Sequence, residues 1–206
     1  MQQLAFKWFT RAYGLVGEKL LDLYRDGERF GFGWGIDHAS TVANVTLDIL
    51  EAVSGLVKIG RQGYIDAYVA GLLHDIGRTH GSFDHNVESA NLVKDLESVK
   101  KVARIDVVSK AVYHHRRRTD LLGDEELAEM GEEARVIAAA VRAADAIKNA
   151  YMEEGIYYGV EVSGDELVVK GNMYLELMFK DFIEKSEPLR KLTGLKVVFR
   201  KDFGWL

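Results

Sequence analysis

The sequence predicts a mainly α-helical body up to about residue 153, followed by a small α+β tail made of a hairpin, a helix and a strand. In the body, apolar residues recur at helical spacing between segments rich in glycine and charged residues. After Gly155 the pattern changes to short runs of β-branched and aromatic residues around Gly164-Asp165, which is typical of a hairpin. We therefore expect a helical domain at residues 1–153 and an extension at residues 154–206 that packs on it.

The composition limits the classes of function that are open to the chain. Its 206 residues are 48% hydrophobic and 29% charged, which allows a large core, and no apolar run approaches the roughly 18 residues of a membrane span. The formal net charge of -5 argues against a general nucleic-acid binder. The absence of cysteine excludes disulfides, thiolate zinc sites and cysteine nucleophiles, so metal binding must use His, Asp and Glu. The N-terminus lacks the apolar segment of a signal peptide, and a cytoplasmic location is expected.

The first part of the body is expected to hold helices on both sides of an aromatic loop. Apolar spacing predicts one or two helices over residues 4–23. A loop with three anchoring aromatic rings and four glycines follows at residues 26–36. Asp37 is a candidate N-cap for a helix that continues to Val53, which places His38 in the first turn.

The second part of the body begins with a short helix over residues 64–74. This helix lacks a polar face, which indicates burial, and Gly77 is expected to end it. A polar loop follows at residues 78–85, where His80 matches no motif and is expected at the surface. Three further helices are predicted over residues 84–96, 105–115 and 132–151, with a loop and a helix cap at residues 121–126.

The tail is expected to contain three short strands and one helix. The strands are predicted at residues 156–163, 166–170 and 195–200, and the helix at residues 174–192, with Pro188 near its C-terminal end. Because such short strands are not stable alone, the tail is expected to pack on the body or, alternatively, to pair with a second subunit in a homodimer. Seven aromatic residues supply apolar area for either arrangement: Tyr157, Tyr158, Phe179, Phe182, Phe199, Phe203 and Trp205.

The strongest functional signal is the presence of ionisable side chains in apolar helical segments. His74 and Asp75 are adjacent at the end of the apolar run in AGLLHDIGR, and burying such a pair costs several kcal/mol without compensation. A divalent metal ion is the usual compensation, and a His–Asp hydrogen bond without metal is the alternative. Asp145 in AAVRAADAI raises the same question, with a salt bridge to Arg142 as its alternative. His38 is either a ligand or a helix-start histidine whose hydrogen bonds are satisfied.

The segments DHASTVA, GLLHDIG and RAADAI resemble the successive motifs of the HD superfamily of metal-dependent phosphohydrolases, over roughly residues 34–150. The resemblance implies an HD-domain helical bundle with a divalent metal ion at its centre. The implied ligands are His38, His74, Asp75 and Asp145. Mixed carboxylate and imidazole ligands suit Mn, Fe, Co, Ni, Zn or Mg, so the sequence does not name the ion.

The histidines between Asp75 and Asp145 are similar to those of family members that hold two metal ions. His85 opens HNVESAN, and His114 and His115 close AVYHH. The resemblance therefore implies a second ion, held by His85 and by His114 or His115, with Asp75 bridging the two ions. The alternative is a single ion, with these histidines contacting the phosphate of the substrate.

The resemblance further implies hydrolysis of a phosphate ester of a nucleotide or another small phosphorylated metabolite by metal-activated water. Asp75 is expected to bind the metal and to orient this water. Guanidinium groups pair with phosphate oxygens in a bidentate manner, and the candidates for this role are Arg78, Arg116, Arg117 and Arg118. At least one of the last three is expected to point away, since consecutive helical residues fan out, and a solvated helix terminus is their alternative. The residues expected to act in catalysis are His74, Asp75, Arg78 and Arg116.

Two other classes of function are compatible with the sequence. One is a non-catalytic, nucleotide-binding HD module that signals through the tail. The other is a di-iron oxygenase, because some HD relatives with the extended histidine set resemble such enzymes.

Two HD subfamilies match the sequence only in part. HHRRRTD lacks the G-Y-P of cyclic-dinucleotide phosphodiesterases of the HD-GYP group. The tail is similar to the C-terminal HD part of exopolyphosphatase and guanosine pentaphosphate phosphohydrolase proteins, but the sequence contains no counterpart of their catalytic actin-like half. The aromatic loop at residues 30–34 either lines a pocket for a base or sugar or serves packing alone.

Overall fold

The computed structural model describes residues 2–81, 83–147 and 157–201. These ranges contain eleven α-helices, two short 3-10 helices and a three-stranded sheet, so the chain is mainly α-helical with a small α+β tail, as predicted. The helices are α1 (Gln2–Val16), α2 (Lys19–Arg29), α3 (Ile36–Val53), α4 (Arg61–Leu73), α5 (His85–Asp95), α6 (Glu97–Lys100), α7 (Ile105–Tyr113), α8 (Glu125–Glu129), α9 (Glu132–Ala144), α10 (Met173–Lys185) and α11 (Glu187–Thr193). The 3-10 helices span Ile76–His80 and Asp145–Ile147, and the strands are β1 (Tyr157–Ser163), β2 (Glu166–Gly171) and β3 (Lys196–Lys201). Within the described ranges, no helix combines the length and the apolar character that crossing a membrane requires.

The core of the body is formed by α3, α4, α7 and α9, which pack against one another. α4 buries every residue from Ile65 to Leu73, and α9 buries every residue from Val136 to Ala144. A helix that is enclosed on all sides in this way has little freedom to shift, since protein interiors are close-packed. The residues directly after these two helices are therefore anchored to helix segments that are buried on all sides.

Small residues allow α3 and α4 to approach closely. A Cβ at Gly71 would lie 2.6 Å from Ala43 Cα and 2.9 Å from Ala43 N, so a larger residue at this position cannot fit without moving the α3 backbone. Gly71 lies in the last turn of α4. This contact therefore fixes the end of α4 relative to α3.

The aromatic loop is shorter than predicted, and the helix after it begins earlier. α2 covers the first four residues of the predicted loop, and the ring of Phe32 folds back onto Gly27, where a Cβ would clash. The N-cap of α3 is Gly35, whose φ of 96° favours glycine. Asp37 is therefore not the N-cap, and it lies instead in the first turn, where a negative charge is favoured by the helix dipole. His38 lies in the first turn, as predicted.

Gly77 does not end the helix before it, which corrects the prediction. α4 ends at Leu73, and the chain continues as the 3-10 helix Ile76–His80, which replaces part of the predicted polar loop. A Cβ at Gly77 would lie 2.5 Å from Ser89 N and 2.6 Å from His85 O on α5. The Gly77 N–H also donates to Ser89 Oγ at 2.8 Å. Gly77 therefore serves the close approach of this segment to α5.

The other helices of the body agree with the sequence pattern. α5, α7 and α9 correspond to the helices predicted at residues 84–96, 105–115 and 132–151. Asp124 caps the short α8 by accepting a hydrogen bond from the Leu127 N–H at 2.9 Å, as the predicted cap in this segment requires. The helix predicted at residues 132–151 ends earlier than expected, because α9 stops at Ala144 and the chain continues as the 3-10 helix Asp145–Ile147. Residues 148–151 of the prediction lie outside the described residues.

The tail forms one small sheet whose last two strands are joined through helices. β1 and β2 are antiparallel around Gly164-Asp165, which confirms the predicted hairpin, and β3 runs parallel to β2 after α10 and α11. The single helix predicted here is in fact two helices, which corrects the prediction. The break lies at Ser186, and Pro188, which has no N–H, occupies the first turn of α11, where no N–H is needed.

The described part of the tail packs on the body. Tyr157 Oη donates a hydrogen bond to Asp48 Oδ2 on α3 at 2.8 Å. Four of the predicted aromatic residues belong to the apolar core or pack against it: Tyr157, Phe179, Phe182 and Phe199. Tyr158 stays 41% exposed, and pairing in a homodimer remains a prediction. Phe203, Trp205 and the predicted domain boundary at residues 153–154 lie outside the described residues.

Gly71→Ala tests the close approach of α3 and α4. The added Cβ would meet the backbone of Ala43, so we expect the free energy of unfolding to fall by about 1–3 kcal/mol. Gly14→Ala on α1 is the matched control, because no atom lies within 4 Å of a Cβ at that position, and alanine should stabilise the helix slightly. Urea unfolding followed by circular dichroism measures both variants, and equal effects would contradict the packing described above.

Candidate metal centre

Five buried ionisable side chains meet where the ends of several helices converge. They are His38 in the first turn of α3, His74 and Asp75 directly after α4, His85 at the start of α5, and His115 just after α7. Each of these residues is at most 1% exposed. Helix ends can bring distant segments to one point without interrupting the helices themselves. The core helices therefore act as the scaffold that places these side chains together.

The first group of ligand atoms belongs to His38, His74 and Asp75. The Nε2 atoms of the two histidines are 3.1 Å apart, and Asp75 Oδ2 lies 3.6 Å from each of them. These atoms all lie within 4.8 Å of one another, a spacing that can hold a metal ion. Asp145 Oδ1 faces the same point, 3.4 Å from His38 Nε2 and 3.5 Å from His74 Nε2. The structure thus brings together all four residues of the first predicted ligand set.

The second oxygen of Asp145 contacts a lysine, and Arg142 is engaged elsewhere. Asp145 Oδ2 lies 2.5 Å from Lys185 Nζ on α10. Arg142 donates from Nε to the carbonyl of His114 at 2.6 Å, and from Nη2 to the carbonyl of Thr119 at 2.9 Å. Arg142 therefore holds the segment after α7. The salt bridge between Asp145 and Arg142, which the sequence offered as an alternative to metal binding, is not formed, and Asp145 pairs with Lys185 instead.

A second group of ligand atoms lies beside the other oxygen of Asp75. Asp75 Oδ1 is 3.0 Å from His85 Nε2 and 3.5 Å from His115 Nε2, and these two Nε2 atoms are 3.0 Å apart. The three atoms also lie within 4.8 Å of one another. Asp75 therefore offers one oxygen to each group, an arrangement in which a single carboxylate can bridge two ions.

His115 faces this cluster, whereas His114 faces away from it. His114 Nε2 lies 2.8 Å from Asp124 Oδ2, and His114 Nδ1 lies 3.0 Å from Thr119 Oγ1. Because Asp124 also caps α8, its carboxylate is fixed, and it holds the His114 ring in place. The structure does not bring His114 to either group. The side chain of His80 lies outside the described part of the chain, so its surface position stays a prediction.

Hydrogen bonds to backbone carbonyls orient two of the imidazole rings. His74 Nδ1 donates to the Gly71 carbonyl at 2.8 Å, and His115 Nδ1 donates to the Val112 carbonyl at 2.6 Å. In both cases the acceptor lies three residues earlier, in the last turn of a helix, where carbonyls lack intrahelical partners. A neutral imidazole that donates from Nδ1 carries a lone pair on Nε2. Both lone pairs therefore point into the cluster, as they do in histidines that bind metals.

The electrostatics of the cluster favour a cation at its centre. Burial opposes the ionisation of Asp75 and Asp145, but the neighbouring histidines, with Lys185 in the case of Asp145, outweigh it and hold the pKa of both carboxyl groups well below the usual range. Burial also opposes a charge on His74, yet Asp75 and Asp145 outweigh it and raise the pKa of His74. Burial lowers the pKa of His115 to about 4, so this ring is neutral at pH 7, as a metal ligand must be. The donor set therefore fits a divalent metal ion.

Comparison with known families identifies the class of protein to which this site belongs. The family model of the HD domain matches residues 35–150, more than half of the chain. The chain belongs to the HD domain family. HD domains are generally metal-dependent phosphohydrolases, and the buried histidines and aspartates described above lie within the matched residues. A search of curated proteins found no match. The family match ends before the tail, so the likeness of the tail to exopolyphosphatase-type proteins stays a prediction.

An open cleft of about 410 Å³ lies beside the cluster of the HD domain. Its lining consists of charged residues and one tryptophan: Trp34, Arg78, Arg116, Arg117, Arg118, Asp145, Asp181 and Lys185. All three arginines after α7 contribute, because this segment forms turns and not the helix that would have pointed one of them away. Arg117 pairs with Glu184, and Arg118 pairs with Asp84. Asp145 lines the cleft and also faces the first group, so the cleft opens onto the cluster.

Two of the arginines in the cleft contact residues of the cluster directly. Arg78 donates from Nε to Asp75 Oδ2 at 2.6 Å, and its guanidinium carbon lies 5.0 Å from the centroid of the Trp34 ring. Arg116 Nη1 lies 3.2 Å from His85 Nδ1. The cleft therefore presents positive charge beside both groups of ligand atoms, which is an environment suited to an anion.

Lys185 is the residue of the site that the sequence pattern missed. A carboxylate buried in an apolar helix, such as Asp145, does signal that a cation must be near it. However, α10 carries two lysines, Lys180 and Lys185, and nothing in their local sequence distinguishes the exposed one from the one that reaches the HD domain. The sequence therefore indicates that Asp145 needs a cation near it, but it does not identify Lys185 as that cation.

Proposed function

We propose that this HD domain protein is a metal-dependent phosphohydrolase, which cleaves a phosphate ester of a nucleotide or another small phosphorylated metabolite by metal-activated water. The observation that supports this most directly is the Asp75 carboxylate, which is shared by two groups of buried ligand atoms beside a cleft lined with arginines. Family membership supplies the class of chemistry. The positive charge of the cleft supplies what a phosphate group needs for binding.

In this proposal the two groups of ligand atoms hold two divalent ions. His38, His74, Asp75 and Asp145 would hold one ion, and Asp75, His85 and His115 the other. Such ions, when bound, lower the pKa of a water molecule and neutralise charge on phosphoryl oxygens. Asp75 contributes one oxygen to each group and so sets their spacing. Mixed nitrogen and oxygen donors accommodate Mn, Fe, Co, Ni, Zn or Mg.

Arg78 and Arg116 are the arginines best placed to bind the phosphate of the substrate. Arg78 uses Nε for Asp75, which leaves its terminal nitrogens for a ligand in the cleft. Arg116 lies against His85 of the second group. Arg117 and Arg118 are paired with carboxylates of the protein, so their role would be to shape the cleft and add to its positive charge. A guanidinium that offers two parallel donors would orient the phosphate beside Asp75.

The exposed ring of Trp34 favours a nucleotide over other phosphate esters as the substrate. Among the residues that line the cleft it is the aromatic one, and it is 55% exposed. Its ring packs edge-on against the His38 ring at 5.5 Å, so it is held beside the first group. Bases stack on exposed aromatic rings, and a cleft of about 410 Å³ lies within the range of small-ligand sites. In this proposal Trp34 of the aromatic loop stacks on the base of the nucleotide, and the phosphate points towards the arginines.

His115→Ala and His114→Ala form a matched pair that tests the second ion. We expect His115→Ala to lose one bound ion per chain, because its Nε2 belongs to the second group. His114→Ala should keep the ion content of the wild type, since His114 contacts Asp124 instead. Elemental analysis after loading with Mn²⁺ and dialysis measures the ions per chain. Equal ion content in the two variants would contradict the assignment.

Replacing His74 and Asp75 together by alanine tests the proposed reaction. We expect hydrolysis to fall to background and metal content to drop, since this change removes atoms from both groups. The measurement is a panel of phosphomonoesters and phosphodiesters with added Mn²⁺, Co²⁺ or Ni²⁺. Retained hydrolysis together with retained metal would refute the mechanism. A wild-type protein that binds nucleotide but hydrolyses none of the panel would instead indicate a regulatory module, and iron with an oxygen-dependent product would indicate an oxygenase.

A pair of substrates that differ only in the base tests the role of Trp34. A nucleoside 5′-monophosphate should exceed ribose 5-phosphate in kcat/KM by about 5- to 150-fold, the range that stacking of one base provides. Trp34→Ala should abolish this preference and spare ribose 5-phosphate, whereas Trp34→Phe should keep most of it. Tyr158→Ala, at an exposed position of β1, is the control. An equal loss for both substrates in Trp34→Ala would exclude stacking.

A further inference from the structure

The last turn of α10 forms one wall of the cleft. α10 packs against α9 and against the 3-10 helix Asp145–Ile147. Asp181 and Lys185 are four residues apart, on one face of α10, and both line the cleft. Glu184 pairs with Arg117 of the arginine segment. This turn of the tail therefore contacts both the candidate metal centre and the segment that carries the arginines.

Lys185 separates the roles of the two oxygens of Asp145. Its Nζ lies 2.5 Å from Oδ2, while Oδ1 faces the Nε2 atoms of His38 and His74 at 3.4 and 3.5 Å. The side chains of Lys185 and Asp145 are only 14% and 13% exposed, so water competes weakly for this contact. Charge-assisted hydrogen bonds of this kind are stronger than neutral ones. One oxygen is thus restrained by the tail, and the other is directed at the first group.

We infer that Lys185 is a positioning residue of the metal centre, and that the C-terminal extension is therefore a part of the site. This inference rests on the proposed binding of a metal by Asp145. Groups that hydrogen-bond to a ligand carboxylate hold its orientation, and their loss typically lowers metal affinity or activity by about 10- to 100-fold. With Lys185 in place, Asp145 is held so that Oδ1 alone faces His38 and His74. Without it, the carboxylate can rotate and leave the geometry of the first group.

The positive charge of Lys185 also has an opposing effect, and the two effects predict different signs. A cation close to a metal ion repels it, so a purely electrostatic role would make the variant without this charge bind metal more tightly. A positioning role makes the same variant bind metal more weakly. The sign of the change in affinity therefore separates the two roles.

Calorimetric titration of the metal-free, 206-residue chain with Mn²⁺ tests the inference. Lys185→Met removes the charge and keeps the length of the side chain, and Lys185→Arg keeps a charged donor. Lys180→Met, at an exposed position of the same helix, is the matched control. We expect Lys185→Met to weaken Mn²⁺ binding by about 10- to 100-fold, Lys185→Arg to recover most of the affinity, and Lys180→Met to match the wild type.

Unchanged or tighter Mn²⁺ binding by folded Lys185→Met would overturn the inference. Circular dichroism melting confirms that each variant is folded. If Lys185→Met does not fold, Lys185→Leu, which also removes the donor, takes its place with the same expected direction. A wild-type protein that binds Mn²⁺ but hydrolyses no phosphate ester would reject the proposed function, and the titration would still decide the role of Lys185. A wild-type protein that binds no Mn²⁺ would reject both.

Discussion

The buried negative charge of Asp75 is the interaction on which the rest of the site depends. A carboxylate without access to water is tolerated only where cations or hydrogen-bond donors surround it. Here the surrounding groups come from four different segments of the chain: His38, His74 with Arg78, His85 and His115. To meet at this carboxylate, the ends of α3, α4, α5 and α7 must lie at fixed positions relative to one another. The helical body is therefore organised around a polar centre as well as around its apolar core.

Glycines set the backbone distances around this centre. Gly71 brings α4 against α3, and Gly77 brings the segment after Asp75 against α5. Gly33 has a φ of 74°, and a Cβ at that position would clash with the carbonyl of Asp75, so the aromatic loop lies directly on the backbone of Asp75. In each case the neighbouring segment comes closer than a residue with a side chain would permit. The geometry of the cluster therefore depends on these glycines as well as on its histidines.

The sequence alone was sufficient for the features that local pattern determines. Helical spacing and apolar context predicted the main helices of the body, and the turn residues predicted the hairpin. The resemblance to the HD superfamily implied the residues that meet in the first group. What the sequence left open or missed at the site depends on contacts with residues elsewhere in the chain. Whether His114 or His115 faces the cluster is decided by Asp124, which holds His114 from ten residues away. The partner of Asp145 lies forty residues further along the chain, in Lys185. The prediction of a single tail helix was wrong for a local reason, because a proline at the start of a helix and a proline that ends a helix look alike in sequence.

The positions of His38 and Asp145 have a consequence for the unfolded chain as well as for the folded one. They lie near opposite ends of the HD domain, so an ion held between them would act as a cross-link that closes a loop from residue 38 to residue 145. Cross-links that close long loops remove more conformational entropy from the unfolded chain than those that close short ones. The chain contains no cysteine, so a disulfide cannot provide this restraint. The stability of the fold would then vary with the concentration of free metal ions. A chelator would destabilise this protein as a reducing agent destabilises a disulfide-bonded one.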